Sequence, residues 1–123
     1  QWGALMKEEI GVRVYDIVGG PLCVSAEDGQ KVYEKIAPLI EQGNKVALSF
    51  AQVDTMISAF LNAAIGQLYG KFTEEQIREL LTVRDMDQED LTLLKRVVDN
   101  AKTYFKNPAE FDQAWKEEVG DEE

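Results

Sequence analysis

The sequence predicts an α/β fold in which a small mixed β-sheet is flanked by helices within a single domain. Residues 46–51 (VALSFA) alternate large and small side chains and carry no charge, which is typical of a strand covered on both faces. Apolar residues then recur at helical spacing over residues 57–68, so a helix follows this strand. The element order is β-β-α-β-α-(α)-β-α, and the 123 residues suit one core.

The N-terminal part of the chain predicts two short strands and a helix. Residues 2–9 fit either a strand or a loose arm, whereas residues 10–14 (IGVRV) alternate as a half-buried strand does. A turn at residues 19–21 (GGP) leads to residues 22–24 (LCV), which we expect to form a hairpin with the first strand. Ser25 is the predicted N-cap of the helix that follows.

Capping signals and periodicity place the remaining elements. Residues 73–76 (TEEQ) form a capping box that opens a short helix. Residues 81–84 predict a short edge strand, and an amphipathic helix begins at Asp87 or Gln88. An Asn-Pro pair closes that helix, so we divide the chain into a domain at 1–107 and an acidic C-terminal helix and tail at 108–123.

One face of the central helix lacks the charges of an ordinary surface helix. At about 100° per residue, the side chains that point away from the apolar stripe are small or neutral. They are Ala59, Asn62, Ala63 and Gly66. Two interpretations are open: another helix of the domain packs there, or a partner protein docks there, because small neutral groups allow close approach and cost little to desolvate.

The same strand, loop and helix resemble a known family. A strand that ends at Phe50, then Val53, the sequence ISAFL at 57–61 and GQLY at 66–69 are similar to the STAS-like domain family of unknown function. That family is related to the STAS domains (sulfate transporter and anti-sigma-factor antagonist). The similarity runs over residues 10–105 and implies a STAS-like fold with a regulatory, protein-binding function.

The resemblance also implies a switch at the start of the central helix. STAS proteins that antagonise anti-sigma factors are phosphorylated there by a histidine-kinase-like ATPase, on a serine in an Asp-Ser-Ser/Ala-Gly signature. This chain departs from that signature, because Thr55, Met56 and Ile57 follow Asp54. The candidate phosphoacceptors are therefore Ser58 and Thr55, and Asp54 joins the predicted partner-binding residues. The alternative is that one of the two hydroxyls simply caps the helix.

No catalytic signature is visible in the sequence. The chain has no histidine, which removes Ser-His-Asp and Cys-His nucleophile pairs and most zinc sites. The Gly19-Gly20 pair lacks the context of a phosphate-binding loop, and Pro21 removes a backbone donor there. We therefore expect no enzyme activity, no cofactor and no metal ion.

The net charge of −10 is unevenly spread along the chain. Residues 108–123 hold seven acidic side chains and one basic side chain, which leaves −6 in this segment and −4 in residues 1–107. Neither part offers the cationic stripe that a phosphate backbone requires, so we expect no nucleic-acid binding. Phe111 and Trp115 either fold onto the domain or dock on a partner or a second copy, so a homodimer is an open alternative.

Hydropathy and cysteine content predict the compartment. No run of about 18 apolar residues and no basic-then-apolar leader is visible, so we expect no membrane interaction. The single cysteine, Cys23, excludes an internal disulfide, which is consistent with a cytoplasmic protein.

The sequence thus predicts a non-enzymatic regulatory module that is switched by phosphorylation and binds a histidine-kinase-like ATPase or another regulator. A second class of function stays open, a small-ligand binder or an oligomeric structural subunit that uses the crevice at the strand ends. An apolar pocket near Thr55 would favour this second class.

Overall fold

The computed structural model describes residues 9–106. Within this range the strands are Ile10–Arg13 (β1), Leu22–Cys23 (β2), Val46–Ser49 (β3), Thr55–Met56 (β4) and Leu81–Arg84 (β5). The α-helices are Val14–Val18 (α1), Ala26–Glu41 (α2), Ser58–Ala64 (α3), Glu74–Leu80 (α4) and Gln88–Lys106 (α5), and a 3-10 helix spans Gly66–Gly70. The expectations for residues 2–8 and for the segment 108–123 lie outside the described residues.

The strands and helices confirm the predicted α/β class. The main sheet has the strand order β1-β3-β5, and the register places Ile10 opposite Val46 and Val46 opposite Leu81. A separate ladder joins β2 to β4, and every strand pair in the described range is parallel. Two local predictions are also confirmed: Ser25 caps α2, and Thr73 and Gln76 form the capping box of α4.

The predicted hairpin between the first two strands is wrong. The short helix α1 follows β1 directly and ends at Gly19, which adopts a left-handed conformation with φ of 88°. The Gly19 N–H donates to the carbonyl oxygen of Tyr15. This helical turn redirects the chain, so the tight reversal that a hairpin needs is absent. The second strand pairs instead with β4, with Leu22 opposite Thr55.

The main sheet has one buried face and one open face. Val46 and Leu48 are fully buried, and Val12 is only 5% exposed, because these side chains point into the core beneath the helices. The alternate residues on the neighbouring strands are exposed: Gly11, Arg13, Thr82 and Arg84. On the central strand itself Ala47 is only 7% exposed, so the prediction that both faces of this strand are covered is confirmed.

An ion pair covers the middle of the open face. Arg84 Nη2 lies 2.9 Å from Glu9 Oε1. Since β3 lies between β1 and β5, this contact crosses β3 on the side of Ala47, which is 7% exposed. A Cβ built on the neighbouring Gly11 would meet no atom within 4 Å. The ion pair of Glu9 and Arg84 thus covers the small uncharged residue of β3 on this face, whereas the neighbouring strands remain accessible to solvent.

Two helices pack with their backbones in direct contact. A Cβ built on Gly29 of α2 would lie 2.3 Å from the carbonyl oxygen of Phe60 and 2.9 Å from the Cβ of Ala63, both in α3. Just beyond α3, Gln67 Nε2 donates to Gln30 Oε1 at 2.6 Å. The glycine is required because any side chain there would separate the two helices.

None of the helices within residues 9–106 has both the length and the apolar content that a bilayer-spanning helix needs.

Candidate functional site

Polar side chains gather at the edge of the sheet where all three parallel strands end. Arg13, Ser49 and Arg84 are the last residues of their strands and occupy matched register positions. Arg13 Nη2 donates to Gln52 Oε1 at 2.5 Å, and Ser49 Oγ donates to Asp85 Oδ2 at 2.7 Å. In parallel α/β sheets, ligand sites lie outside the carboxyl ends of the strands. We therefore place the candidate site at this edge.

Two residues at the carboxyl edge adopt strained backbone conformations. Gln52, in the turn after β3, has φ of 69°, and Asp85, directly after β5, has φ of 62°. Residues other than glycine rarely adopt such angles, and those that do are concentrated at functional sites. The side chains of both residues accept hydrogen bonds from the ends of β1 and β3, which helps to hold the loops in place.

The two-stranded ladder β2–β4 extends from this edge and exposes apolar side chains. Leu22 is 53% exposed and Val24 is 42% exposed, while Cys23 between them is fully buried. Thr55 of β4 and Asp54, which directly precedes it, are exposed, and Thr55 lies directly opposite Leu22 in the register. We call these four exposed residues, Leu22, Val24, Asp54 and Thr55, the ribbon surface.

Backbone hydrogen bonds hold the ribbon surface in place. The N–H groups of Asp54 and Thr55 both donate to the carbonyl oxygen of Pro21, at 2.9 and 3.3 Å. The N–H of Ile57 donates to the carbonyl oxygen of Cys23 at 3.1 Å. Leu22 and Thr55 therefore belong to a paired ladder, and Val24 and Asp54 adjoin its two strands, which preorganises the surface for contact with another molecule.

The side chain of Cys23 is buried beneath the ribbon surface. Burial, with smaller contributions from the carboxylates of Asp28 and Asp90, raises the pKa of its thiol to about 11. The thiol is therefore neutral at physiological pH and acts as a small apolar group. The carboxylates come from the first turns of α2 and α5, so the starts of two helices lie near the ribbon.

We expect the stability that Cys23 confers to disappear at high pH. An unfolded thiol ionises near pH 9.0, whereas the folded thiol ionises near 11, so the unfolded state binds fewer protons between these values. The contribution of the neutral thiol to the free energy of unfolding is complete below about pH 9 and is lost as the pH rises through about 11. The total loss is about 2–3 kcal/mol. Urea unfolding at pH 8 and at pH 11 gives the free energy of unfolding of the wild type and of Cys23→Val. Relative to the variant, the wild type should lose this amount of stability between the two pH values. A difference that does not change with pH would contradict the assignment.

The two predicted phosphoacceptors lie in different environments. Thr55 is exposed on β4, whereas Ser58, the first residue of α3, is only 7% exposed. The N-cap of α3 is Ile57, which makes no side-chain capping hydrogen bond. Thr55 and Ser58 lie on either side of this position, so neither is the N-cap residue that the alternative requires.

The predicted docking face of the central helix is covered within the domain. Ala59 and Asn62 are each 1% exposed, Ala63 is 8% exposed, and Gly66 is buried. Gly29 of α2 explains the small side chains, because the two helix backbones touch at Ala63. The helix-packing interpretation is thus correct, and these four residues are not available as a partner surface. Asp54 alone among the predicted partner-binding residues is exposed.

One cavity among the described residues lies away from Thr55. It has a volume of about 220 Å³ and lies among the 3-10 helix, α4, β5 and α5. None of its lining residues belongs to the loop at 50–57. This cavity therefore does not support the predicted ligand crevice at the strand ends.

Sequence reasoning missed Leu22 and Val24 of the ribbon surface and Arg13, Gln52 and Asp85 of the carboxyl edge. The sequence does carry a signal for Leu22 and Val24, because they flank a cysteine in a short predicted strand. Alternate residues of a strand point to opposite faces, so a buried Cys23 implies that its two neighbours face the other way. The other three residues had no local signal, since their importance depends on the register of strands about 35 residues apart.

Comparison with known proteins gives one match. A family model described as a STAS-like domain of unknown function matches residues 28–91, slightly more than half of the chain. The matched segment runs from the first turn of α2 to the first turn of α5, so it includes β3, α3 and β5. No curated protein and no solved structure matches the chain.

Proposed function

The chain belongs to the family of STAS-like domains of unknown function, and on this basis we propose that it is a non-enzymatic regulatory module that binds a protein partner. The observation that carries the proposal is the ribbon surface, where two exposed apolar side chains lie beside an exposed threonine and an exposed carboxylate. Solvent-exposed apolar groups that adjoin one another with a polar rim are characteristic of protein interaction sites.

The ribbon surface has the physical properties of a docking site. Leu22 of β2 and Val24, which directly follows β2, flank the buried Cys23, so both side chains are exposed on the same side. Covering them would remove apolar area from water, at about 25 cal/mol per Å². Asp54 and Thr55 add polar contacts at the margin, and the strained turn at Gln52 helps to hold the loop that carries them.

Thr55 is the residue through which we propose that phosphorylation regulates binding. Its side chain is exposed, so a kinase can reach it, and a phosphate there would remain in water without disturbing the core. A phosphate adds a charge of about −1.5 to −2 and must be desolvated when a partner covers it. Because Leu22 lies opposite Thr55 in the ladder, the phosphate would adjoin the apolar contact itself. The 7% exposure of Ser58 makes it the less accessible of the two hydroxyls.

The resemblance to anti-sigma-factor antagonists supplies the class of partner that we propose. It is a regulator such as a histidine-kinase-like ATPase, which would bind the unphosphorylated module and transfer phosphate to it. The absence of histidine from the chain favours the non-enzymatic role, since histidine is the most common general base in nucleophilic catalysis.

We expect Leu22→Asp and Thr55→Asp each to reduce partner capture at least tenfold. Tagged wild type and variants are incubated with lysate of the source cells, and the bound proteins are quantified by mass spectrometry. Both changes affect exposed side chains, so the free energy of unfolding should stay within about 0.5 kcal/mol of wild type. Phosphopeptide analysis of protein from the native cell should find phosphate on Thr55.

Thr82→Asp is the matched control, because Thr82 is also an exposed threonine on a strand but lies on the open face of the main sheet. It should capture the same partners as the wild type. If Leu22→Asp and Thr55→Asp also capture them normally, the ribbon surface is not the docking site. A ribbon variant that binds poorly only because it is unfolded would be recognised by its melting curve.

A further inference from the structure

The cavity among the 3-10 helix, α4, β5 and α5 has an apolar floor. Its volume of about 220 Å³ is below the range of about 300–1,000 Å³ that accommodates drug-sized ligands, so it suits a smaller molecule. Six aliphatic side chains line it: Ile65, Ile77, Leu81, Val83, Leu94 and Val98. Such a floor offers no hydrogen-bond partners to water, so an apolar chain would gain free energy by displacing the solvent there.

Four polar residues lie at the rim of the same cavity: Tyr69, Glu74, Arg78 and Lys102. Glu74 Oε2 accepts from Lys102 Nζ at 2.8 Å and from Arg78 Nη2 at 3.2 Å. Two cations share one carboxylate, which leaves an excess of one positive charge among these groups. An ammonium group has three donors and a guanidinium has five, so both cations retain donors for a further anion.

The protonation states at the rim favour this arrangement at neutral pH. The hydrogen bond from Lys102 lowers the pKa of Glu74, and the same bond raises the pKa of Lys102, so both groups are charged. Burial raises the pKa of Tyr69, which keeps its hydroxyl neutral and able to donate a hydrogen bond. The Lys102 ammonium lies 6.0 Å from the centre of the Tyr69 ring.

We propose that this cavity binds a small aliphatic carboxylate, with its chain on the apolar floor and its carboxylate beside Glu74, on the donors of Lys102 and Arg78 that Glu74 does not use. The single excess positive charge matches a monoanion better than a phosphate monoester with a charge of about −2. The size of the cavity suits a chain of moderate length. This ligand site is separate from the ribbon surface, and the proposal does not depend on the proposed regulatory function.

The test uses the full chain and three probes of the same chain length, namely octanoate, octanol and octylamine, each below its micelle-forming concentration. Titrations followed by methyl NMR should show saturable shifts at Ile77, Leu94 and Val98 with octanoate. Octanol should bind at least tenfold more weakly, and octylamine should not bind. Hexanoate, which is two methylene groups shorter, should bind about tenfold more weakly than octanoate.

Two variants locate the two halves of the site. Lys102→Gln should lower octanoate affinity at least tenfold and leave octanol affinity unchanged, whereas Arg96→Gln, a control at an exposed cation on another side of the same helix, should change neither. Val98→Phe should abolish binding of both probes by filling the floor. Three results would each overturn the proposal: equal affinity for octanoate and octylamine, an octanoate affinity of Lys102→Gln equal to that of the wild type, or the absence of saturable shifts. Since Lys102 is a partly exposed surface residue, its variant keeps the test decisive even if Val98→Phe does not fold.

Discussion

Gly29→Ala is expected to destabilise the domain by about 3 kcal/mol, although glycine-to-alanine changes inside helices usually stabilise by up to about 1 kcal/mol. The added methyl group would lie 2.3 Å from the carbonyl oxygen of Phe60 and 2.9 Å from the Cβ of Ala63. Backbone atoms cannot rotate away as a flexible side chain can, so α2 and α3 would have to separate. A loss of this size corresponds to a fall in melting temperature of roughly 10–15 °C for a chain of this size.

Urea unfolding measures the effect, and Gly20→Ala is the matched control. A Cβ at Gly20 would meet no atom within 4 Å, so this change should be neutral or slightly stabilising. If Gly29→Ala were as stable as the wild type, the close approach of the two helices would be wrong. The helix-packing explanation for Ala59, Ala63 and Gly66 would then lose its main support.

Asn62→Leu is expected to stabilise the domain by about 2 kcal/mol. Asn62 is 1% exposed, and neither its amide nitrogen nor its amide oxygen has a hydrogen-bond partner in the part of the chain that the structure describes. Burying a polar group without a partner costs roughly 1–3 kcal/mol, and a leucine of similar size removes this cost. Asn62→Asp should have the opposite effect, a loss of about 3–5 kcal/mol, because it would bury an unpaired carboxylate.

Asn100→Leu controls for helix propensity. Asn100 is an exposed asparagine within α5, so its replacement should change the free energy of unfolding by at most about 0.5 kcal/mol. Chemical denaturation of the three variants beside the wild type separates burial from propensity. An Asn62→Leu protein that is less stable than the wild type would mean that the amide makes a favourable contact which the leucine cannot replace.

Local signals in the sequence predicted local structure well. The capping box at Thr73 and Gln76, the cap at Ser25 and the neutral strand at residues 46–49 all appear as expected. Each depends on residues that lie within a few positions of one another. The apolar periodicity of α5 also depends on neighbouring residues, and it correctly predicted a helix that begins at Gln88.

Features that depend on distant parts of the chain were predicted less well. The small residues on the central helix fit both a docking face and a packed helix, and Gly29, which decides between them, lies about 30 residues earlier in the chain. The alternation at residues 10–14 hid the start of α1, because Val14 is buried in the same way whether the backbone is a strand or a helix. The ribbon surface depends on the pairing of Leu22 with Thr55, which no local pattern indicates.

The strand order also determines how the chain must assemble. Ile10 pairs with Val46 and Val46 pairs with Leu81, so each ladder closes a loop of about 35 residues, at an entropic cost of about 3 kcal/mol. During synthesis the central strand emerges well before its second neighbour, and at 5–20 residues per second its outer edge stays unpaired for roughly two to seven seconds. That edge belongs to an uncharged strand, VALS, which can pair with a neighbouring nascent chain. High contact order thus makes residues 46–49 the segment most exposed to misassembly before translation reaches β5.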